Sequence, residues 1–175
     1  GYGRKISEPL HQSRQVGAFA VKRLDIVVNR WGARFLGRRF ACSIGRGGIT
    51  AGKREGDGGS PVGTHRIVGM LYRRDRLLPP ADWAVPIGPH DLWSDDVRDP
   101  DYNLMVRAPH GFSHEALHRP DPLYDLILIT DWNWPDAVPG RGSAIFIHTW
   151  RRPRFPTAGC IGFGQTDLLW IAAHL

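Results

Sequence analysis

A histidine and a cysteine near the C-terminal end could together form an activated nucleophile. His148 closes the apolar run Ser143-Ala144-Ile145-Phe146-Ile147, and Cys160 follows a basic stretch and the small pair Ala158-Gly159. A thiol attacks carbonyls at neutral pH only when a nearby base takes its proton. An imidazole at the end of a buried strand is held rigidly enough to do so. The intervening residues are few enough to fold back, and Arg151, Arg152 and Arg154 would favour thiolate over thiol. Ala158 and Gly159 leave room for another backbone to approach. Residue type and spacing alone fit a packed cysteine and a hydrogen-bonded histidine equally well.

Other stretches compete for the chemistry. His114-Glu115-Ala116-Leu117-His118 matches the H-E-x-x-H zinc pattern, in which two histidines share a helix face and the glutamate acts as base. Prolines at 109, 120 and 122 bracket it, leaving about two helical turns where zinc peptidases use a longer helix, and no third ligand follows at a recognised spacing. A short helix over 113–118 bordering a groove, with His114 or Glu115 touching substrate, is the alternative use of the same residues. Asp95-Asp96 are adjacent carboxylates, which diverge on a strand and repel in a loop, so they suit glycoside chemistry poorly. The glycine-rich segment 45–63 lacks the G-x-x-x-x-G-K-[S/T] pattern and reads as a loop flanking the site. Trp132, Asn133 and Trp134 offer aromatic faces and an amide suited to an extended peptide, and Arg141 is a further candidate contact.

The elements that must hold these residues are short. The chain has 175 residues with 21 glycines and 14 prolines, which predicts many turns and sheets rather than a helical bundle. Strands are expected over 18–24, 25–29, 33–36, 39–44, 64–72, 123–130 and 143–148. Residues 73–122, rich in proline and aspartate, read as an irregular excursion. Residues 166–175 read as a helix capped by Thr166. The expected fold is therefore mainly β: a sandwich of two mixed sheets with one or two short helices. It forms one domain over 18–175, preceded by a tail or tag remnant at 1–17.

Net charge is +6, which suits an acidic polymer as partner. The arginines are scattered, with no helix-turn-helix, zinc-finger or aromatic RNA-binding pattern, so nucleic acid is not expected. No apolar run reaches membrane-spanning length. The two cysteines make no disulfide framework, and Cys42, between Phe40 and Ile44, reads as a buried free thiol.

Several of these stretches, in their order along the chain, resemble YkuD-type L,D-transpeptidases. They are Gly52-Lys53, Ser60-Pro61-Val62-Gly63-Thr64, Ile-Phe-Ile-His148 and Thr157-Ala158-Gly159-Cys160. Ala158 stands where the family's signature has a second histidine, and the interval from His148 to Cys160 is shorter than usual. A subgroup with this Thr-Ala-Gly-Cys form also carries Lys-Arg-Glu-Gly-Asp, as at 53–57, and Tyr-Asn, as at Tyr102-Asn103. The resemblance implies a cysteine acyltransferase of peptidoglycan stem peptides, located in the periplasm or facing the cell wall. Cys160 would carry a thioester and His148 would be its base. The Thr149 carbonyl would orient the ring, and the Gly159 and Cys160 N–H groups would hold the oxyanion. Tyr102, Asn103, His114, Glu115, Trp132, Asn133 and Arg141 would contact substrate. No metal or organic cofactor is required, a monomer is expected, and carbapenem-type β-lactams would acylate Cys160.

Overall fold

The computed structural model describes residues 24–175, so the expected tail and most of the expected strand over 18–24 lie outside the described residues. First comes an antiparallel sheet of β1 (Val27–Asn29), β2 (Gly32–Phe35) and β3 (Arg38–Phe40). Next are β4 (Cys42–Ser43), β5 (Ile49–Thr50), β6 (Ser60–Pro61) and β7 (Ile67–Tyr72). The excursion holds β8 (Val85–Pro86), β9 (Asp91–Ser94), β10 (Met105–Arg107) and β11 (His114–Ala116). The chain ends with β12 (Leu126–Thr130), β13 (Phe146–Thr149), β14 (Ile161–Phe163) and α1 (Gln165–Ala173).

A six-stranded mixed sheet, ordered β4-β14-β13-β12-β7-β8, lies at the centre. Its middle strands are largely apolar because both faces are covered. In β12, Leu126 and Leu128 join one core cluster while Ile127 and Ile129 join the other. The first cluster includes Phe35, Phe40, Phe163 and the α1 residues Leu168 and Ile171. The second includes Trp93, Leu117, Tyr124 and Phe146. A register shift at Ile129/Thr130 flips the start of β7, which puts Val68 with the second cluster and Met70 with the first.

The expected mainly β architecture holds, with no closed barrel and a single short helix among the described residues. Mixed pairing is confined to the central sheet, where β13–β14 and β7–β8 run parallel. The excursion is more ordered than expected: β10-β9-β11 form an antiparallel sheet. The short helix over 113–118 does not form. β11 instead pairs with β9, matching His114 to Ser94 and Glu115 to Trp93. So short a helix would need costly nucleation, and strand pairing satisfies the backbone without it. The strand over 143–148 becomes 146–149, since Ala144 has φ 54° and leaves the β region. The terminal helix begins at Gln165 with Gly164 as its N-cap and no side-chain cap, so Thr166 lies inside the first turn. A side chain at Gly164 would press on the Trp150 ring 3.3 Å away, and the bare glycine allows this close approach.

Candidate active site

β13 and β14 run parallel, with Ile147 opposite Ile161 and His148 opposite Gly162. One step back, this register sets Cys160 beside Phe146, and the Phe146 N–H points at the sulfur at 3.4 Å. Cys160 packs against the cluster containing Phe146 and Tyr124, so its side chain shares the face that carries His148. Residues two apart on a strand are roughly 7 Å apart along it. Sulfur and imidazole therefore lie on one sheet face, and Cys160 as a residue is partly buried.

The His148 ring is 5 % exposed, and its Nδ1 lies 2.7 Å from the Thr149 carbonyl. A carbonyl only accepts, so Nδ1 carries the proton and Nε2 holds the lone pair. The Tyr124 ring meets the imidazole edge-on with centroids 5.2 Å apart. Burial pushes the His148 pKa down to about 4, more than the Thr149 carbonyl raises it. The imidazole is neutral and able to accept a proton.

Burial also pushes the Cys160 thiol up to about 12; the Glu115 charge adds to this, against the Phe146 N–H and Lys53. The expected help from Arg151, Arg152 and Arg154 is absent from the thiol. All three are exposed: Arg152 lies over Phe155, Arg154 donates to the Trp31 carbonyl, and the Arg151 charge acts on His148. The thiol donates instead to the Ala144 carbonyl at 3.0 Å. Thiol and neutral imidazole are the resting forms.

The turn bearing Cys160 is braced from two sides. Thr157 Oγ1 donates to the Cys160 carbonyl (2.6 Å) and accepts the Gly159 N–H (3.0 Å). Ser60 Oγ donates to the Gly159 carbonyl (2.7 Å) and accepts the Gly45 N–H (2.9 Å). Gly159 has φ 143°, and a Cβ there would stand 2.8 Å from the Gly59 carbonyl oxygen. The segment 45–63 thus packs its backbone against the nucleophile turn, with Gly45 bridging to Thr157.

A second framework fixes Ala144. Asn103, 2 % exposed, accepts the Ala144 N–H and the Trp93 indole N–H, both at 2.9 Å. Its amide donates to the carbonyls of Trp132 (3.2 Å) and Asn133 (2.6 Å). Tyr102, also buried, accepts the Gly142 N–H at 3.0 Å. Both had been expected to contact substrate, yet they spend their polar atoms inside the fold. Asn133 does likewise, donating to the carbonyls of Val138 and Gly142 and accepting the Val138 N–H. Trp132 donates to the Arg141 carbonyl at 3.2 Å, and the Arg141 side chain is exposed. Lys53–Asp57 is a 2.7 Å ion pair, and Glu55 accepts from the Ser143 hydroxyl and N–H. The Lys53 bond holds the Asp57 carboxyl down at about 2.

His114 is exposed and donates through Nδ1 to the Phe112 carbonyl, while Glu115 accepts from the Tyr124 hydroxyl. The H-E-x-x-H segment is strand over His114–Ala116 and bends at Leu117-His118, so its histidines share no helix face. Among the described residues no three histidine, cysteine or acidic groups converge as a metal site. Cys42 is buried in the opposite cluster, unpaired, with its pKa raised to about 11 by burial. Ser60, Thr157 and Tyr124 were not singled out from the sequence. Ser60 and Thr157 lay inside quoted motifs, and Tyr124 is a lone hydroxyl at the mouth of an apolar strand.

The profile of the YkuD family, described as the L,D-transpeptidase catalytic domain, matches residues 22–175. The chain belongs to that family. Its members are enzymes acting on peptidoglycan. Comparison with curated proteins and with solved structures finds no match. The family match takes in both halves of the site, the His148 strand and the Cys160 turn, and the 45–63 segment behind them. No helix among the described residues is long and apolar enough to cross a membrane.

Proposed function

We propose that this L,D-transpeptidase domain is a cysteine acyltransferase acting on peptidoglycan stem peptides, with Cys160 as nucleophile and His148 as base. The observation that carries this reading is the tautomer. The Thr149 carbonyl fixes the proton on Nδ1 and leaves Nε2 as the basic nitrogen, and the Tyr124 ring that meets the imidazole also packs in the cluster against which Cys160 lies. In the forward step the thiol turns from the Ala144 carbonyl, Nε2 takes its proton, and sulfur bonds to the peptide carbonyl carbon. Charge on the carbonyl oxygen is met by the Cys160 N–H, and by the Gly159 N–H once it leaves Thr157. Such donors typically contribute a few kcal/mol. His148 then returns the proton to the departing amine, leaving an acyl thioester. An amine of a second stem attacks it, and the peptide product leaves with the thiol restored.

Water in place of that amine would make the same site a hydrolase. Product masses from defined disaccharide-peptides separate the two. The sheet structure of β11 removes the helical basis for the zinc peptidase reading. Carbapenem acylation of Cys160 and a location outside the cytoplasm belong to the same proposal. Intact-mass analysis tests it: wild type is expected to gain a stem-peptide thioester, and Cys160→Ala to lose both adduct and turnover. Turnover surviving in Cys160→Ala would overturn the assignment.

A further inference from the structure

We propose that Glu115 is the receptor for an ammonium group of the substrate, and that docking of this cation readies the Cys160 thiol for reaction. This rests on the reading of Cys160 as nucleophile and goes beyond it by assigning a switch. Glu115 sits mid-strand in β11, half-buried and reachable from solvent. It accepts from the Tyr124 hydroxyl; the Tyr124 ring lies edge-on to His148 and packs in the cluster that holds Cys160. Carboxylate, phenol, imidazole and thiol therefore share one floor.

The charges around Glu115 leave it short of a cation. Asp95 and Glu55 add negative field, and Arg119 opposes them. Arg119 is committed elsewhere: it donates twice to Asp121, at 2.9 and 2.6 Å, and lies over the Tyr124 ring at 5.4 Å. A protein of net charge +6 thus keeps an acidic pocket at its candidate nucleophile. That charge works against the thiolate, which also faces the Tyr124 phenol, while Lys53, whose charge favours it, is already tied to Asp57. An ammonium docked at Glu115 cancels the opposing field, so the thiol gives up its proton to His148 more readily when a cationic substrate is present. The fitting substrate is a peptide with a free amine close to the reacting carbonyl, such as the side chain of a diamino acid.

Glu115→Gln tests this, because the amide oxygen still accepts from Tyr124. Removing the charge should lower the thiol pKa by about one unit. The thiolate fraction then rises about tenfold, and its lower nucleophilicity leaves iodoacetamide labelling of Cys160 about three- to fourfold faster. Binding is measured by calorimetry in a Cys160→Ser background. The probes are a stem tripeptide ending in diaminopimelate and the same peptide with its side-chain amine acetylated. The free amine is expected to bind at least about tenfold more tightly, one charge-assisted hydrogen bond's worth. Glu115→Gln should erase that preference and Glu115→Asp should keep most of it. Unchanged labelling together with an unchanged preference in Glu115→Gln would overturn the proposal while leaving the nucleophile assignment standing. Failure of both peptides to bind, with no thioester on wild type, would overturn the stem-peptide reading and this inference with it.

Discussion

Asn103→Ala removes four hydrogen bonds, two of them buried, with one substitution, so its cost can be worked from the structure. The side chain is 2 % exposed and serves the Ala144 N–H, the Trp93 indole and the carbonyls of Trp132 and Asn133. Trp132 and Asn133 are only half-buried, so water can re-solvate their carbonyls. The Trp93 indole and the Ala144 N–H have no such recourse, and each orphaned donor costs about 1–3 kcal/mol. Asn103 also has φ 58°, where an alanine costs about 1 kcal/mol more than glycine. The total is about 5 kcal/mol, a large part of a typical domain's stability and equivalent to about 10–20 °C in Tm at this length. Urea or thermal unfolding reads it, with Asn103→Gly as control, expected to be about 1 kcal/mol milder. The catalytic consequence is separate: Ala144 loses its anchor, and its carbonyl is what the Cys160 thiol rests on. Acylation measured well below the variant's Tm should fall at least about tenfold, about 1.4 kcal/mol of transition-state stabilisation. A loss below about 1 kcal/mol, or full acylation rate in the folded variant, would refute the bracing argument.

Three further outcomes follow from the site. The acid limb of kcat/KM should lie near the lowered His148 pKa of about 4, because the base works only when neutral. A limb near 6.5 would mean the ring is not buried as described. The same shift has a stability sign: between pH 6.5 and 4 the unfolded chain binds the His148 proton and the fold does not. Stability should therefore fall as pH drops through that window, less so in His148→Gln. Gly159→Ala would drive a Cβ into the Gly59 carbonyl at 2.8 Å, at a φ alanine avoids, so loss of thioester formation and a Tm drop of several degrees are expected. An unperturbed crystal structure of that variant would contradict the close packing.

The strand bearing His148 and the nucleophile turn were legible because burial on both sheet faces writes a continuous apolar run, and small residues mark close approach. What the run could not show was its own edge at Ala144, whose positive φ is imposed by Asn103 from 41 positions away. Long-range hydrogen bonds of this kind leave no local pattern. The same blindness turned Asn103, Tyr102 and Asn133 into expected substrate contacts, since a polar residue beside a groove looks alike in sequence whether it faces in or out. β11 was misread for a related reason: H-E-x-x-H has helical spacing, but Trp93 and Ser94 supply pairing partners that the helix could not match. Arg151, Arg152 and Arg154 stood close to Cys160 in the chain, yet water takes their charge.

Burial acts on the two reacting groups in the same sense, toward neutrality. It raises the thiol to about 12 and lowers the imidazole to about 4, so the pair does not rest as thiolate and imidazolium. Proton transfer before attack would create two charges in a place that disfavours both. Chemistry is feasible only if the proton moves as the sulfur–carbon bond forms, so that charge passes to the carbonyl oxygen rather than remaining on sulfur. This puts the catalytic demand on whatever meets that oxygen and on whatever alters the local field, rather than on a preformed ion pair. We propose the Cys160 N–H for the first task and the Glu115 carboxylate for the second. A site working as proposed keeps its thiol quiet until a substrate of the right charge arrives, which would spare a partly buried cysteine from oxidants and stray electrophiles.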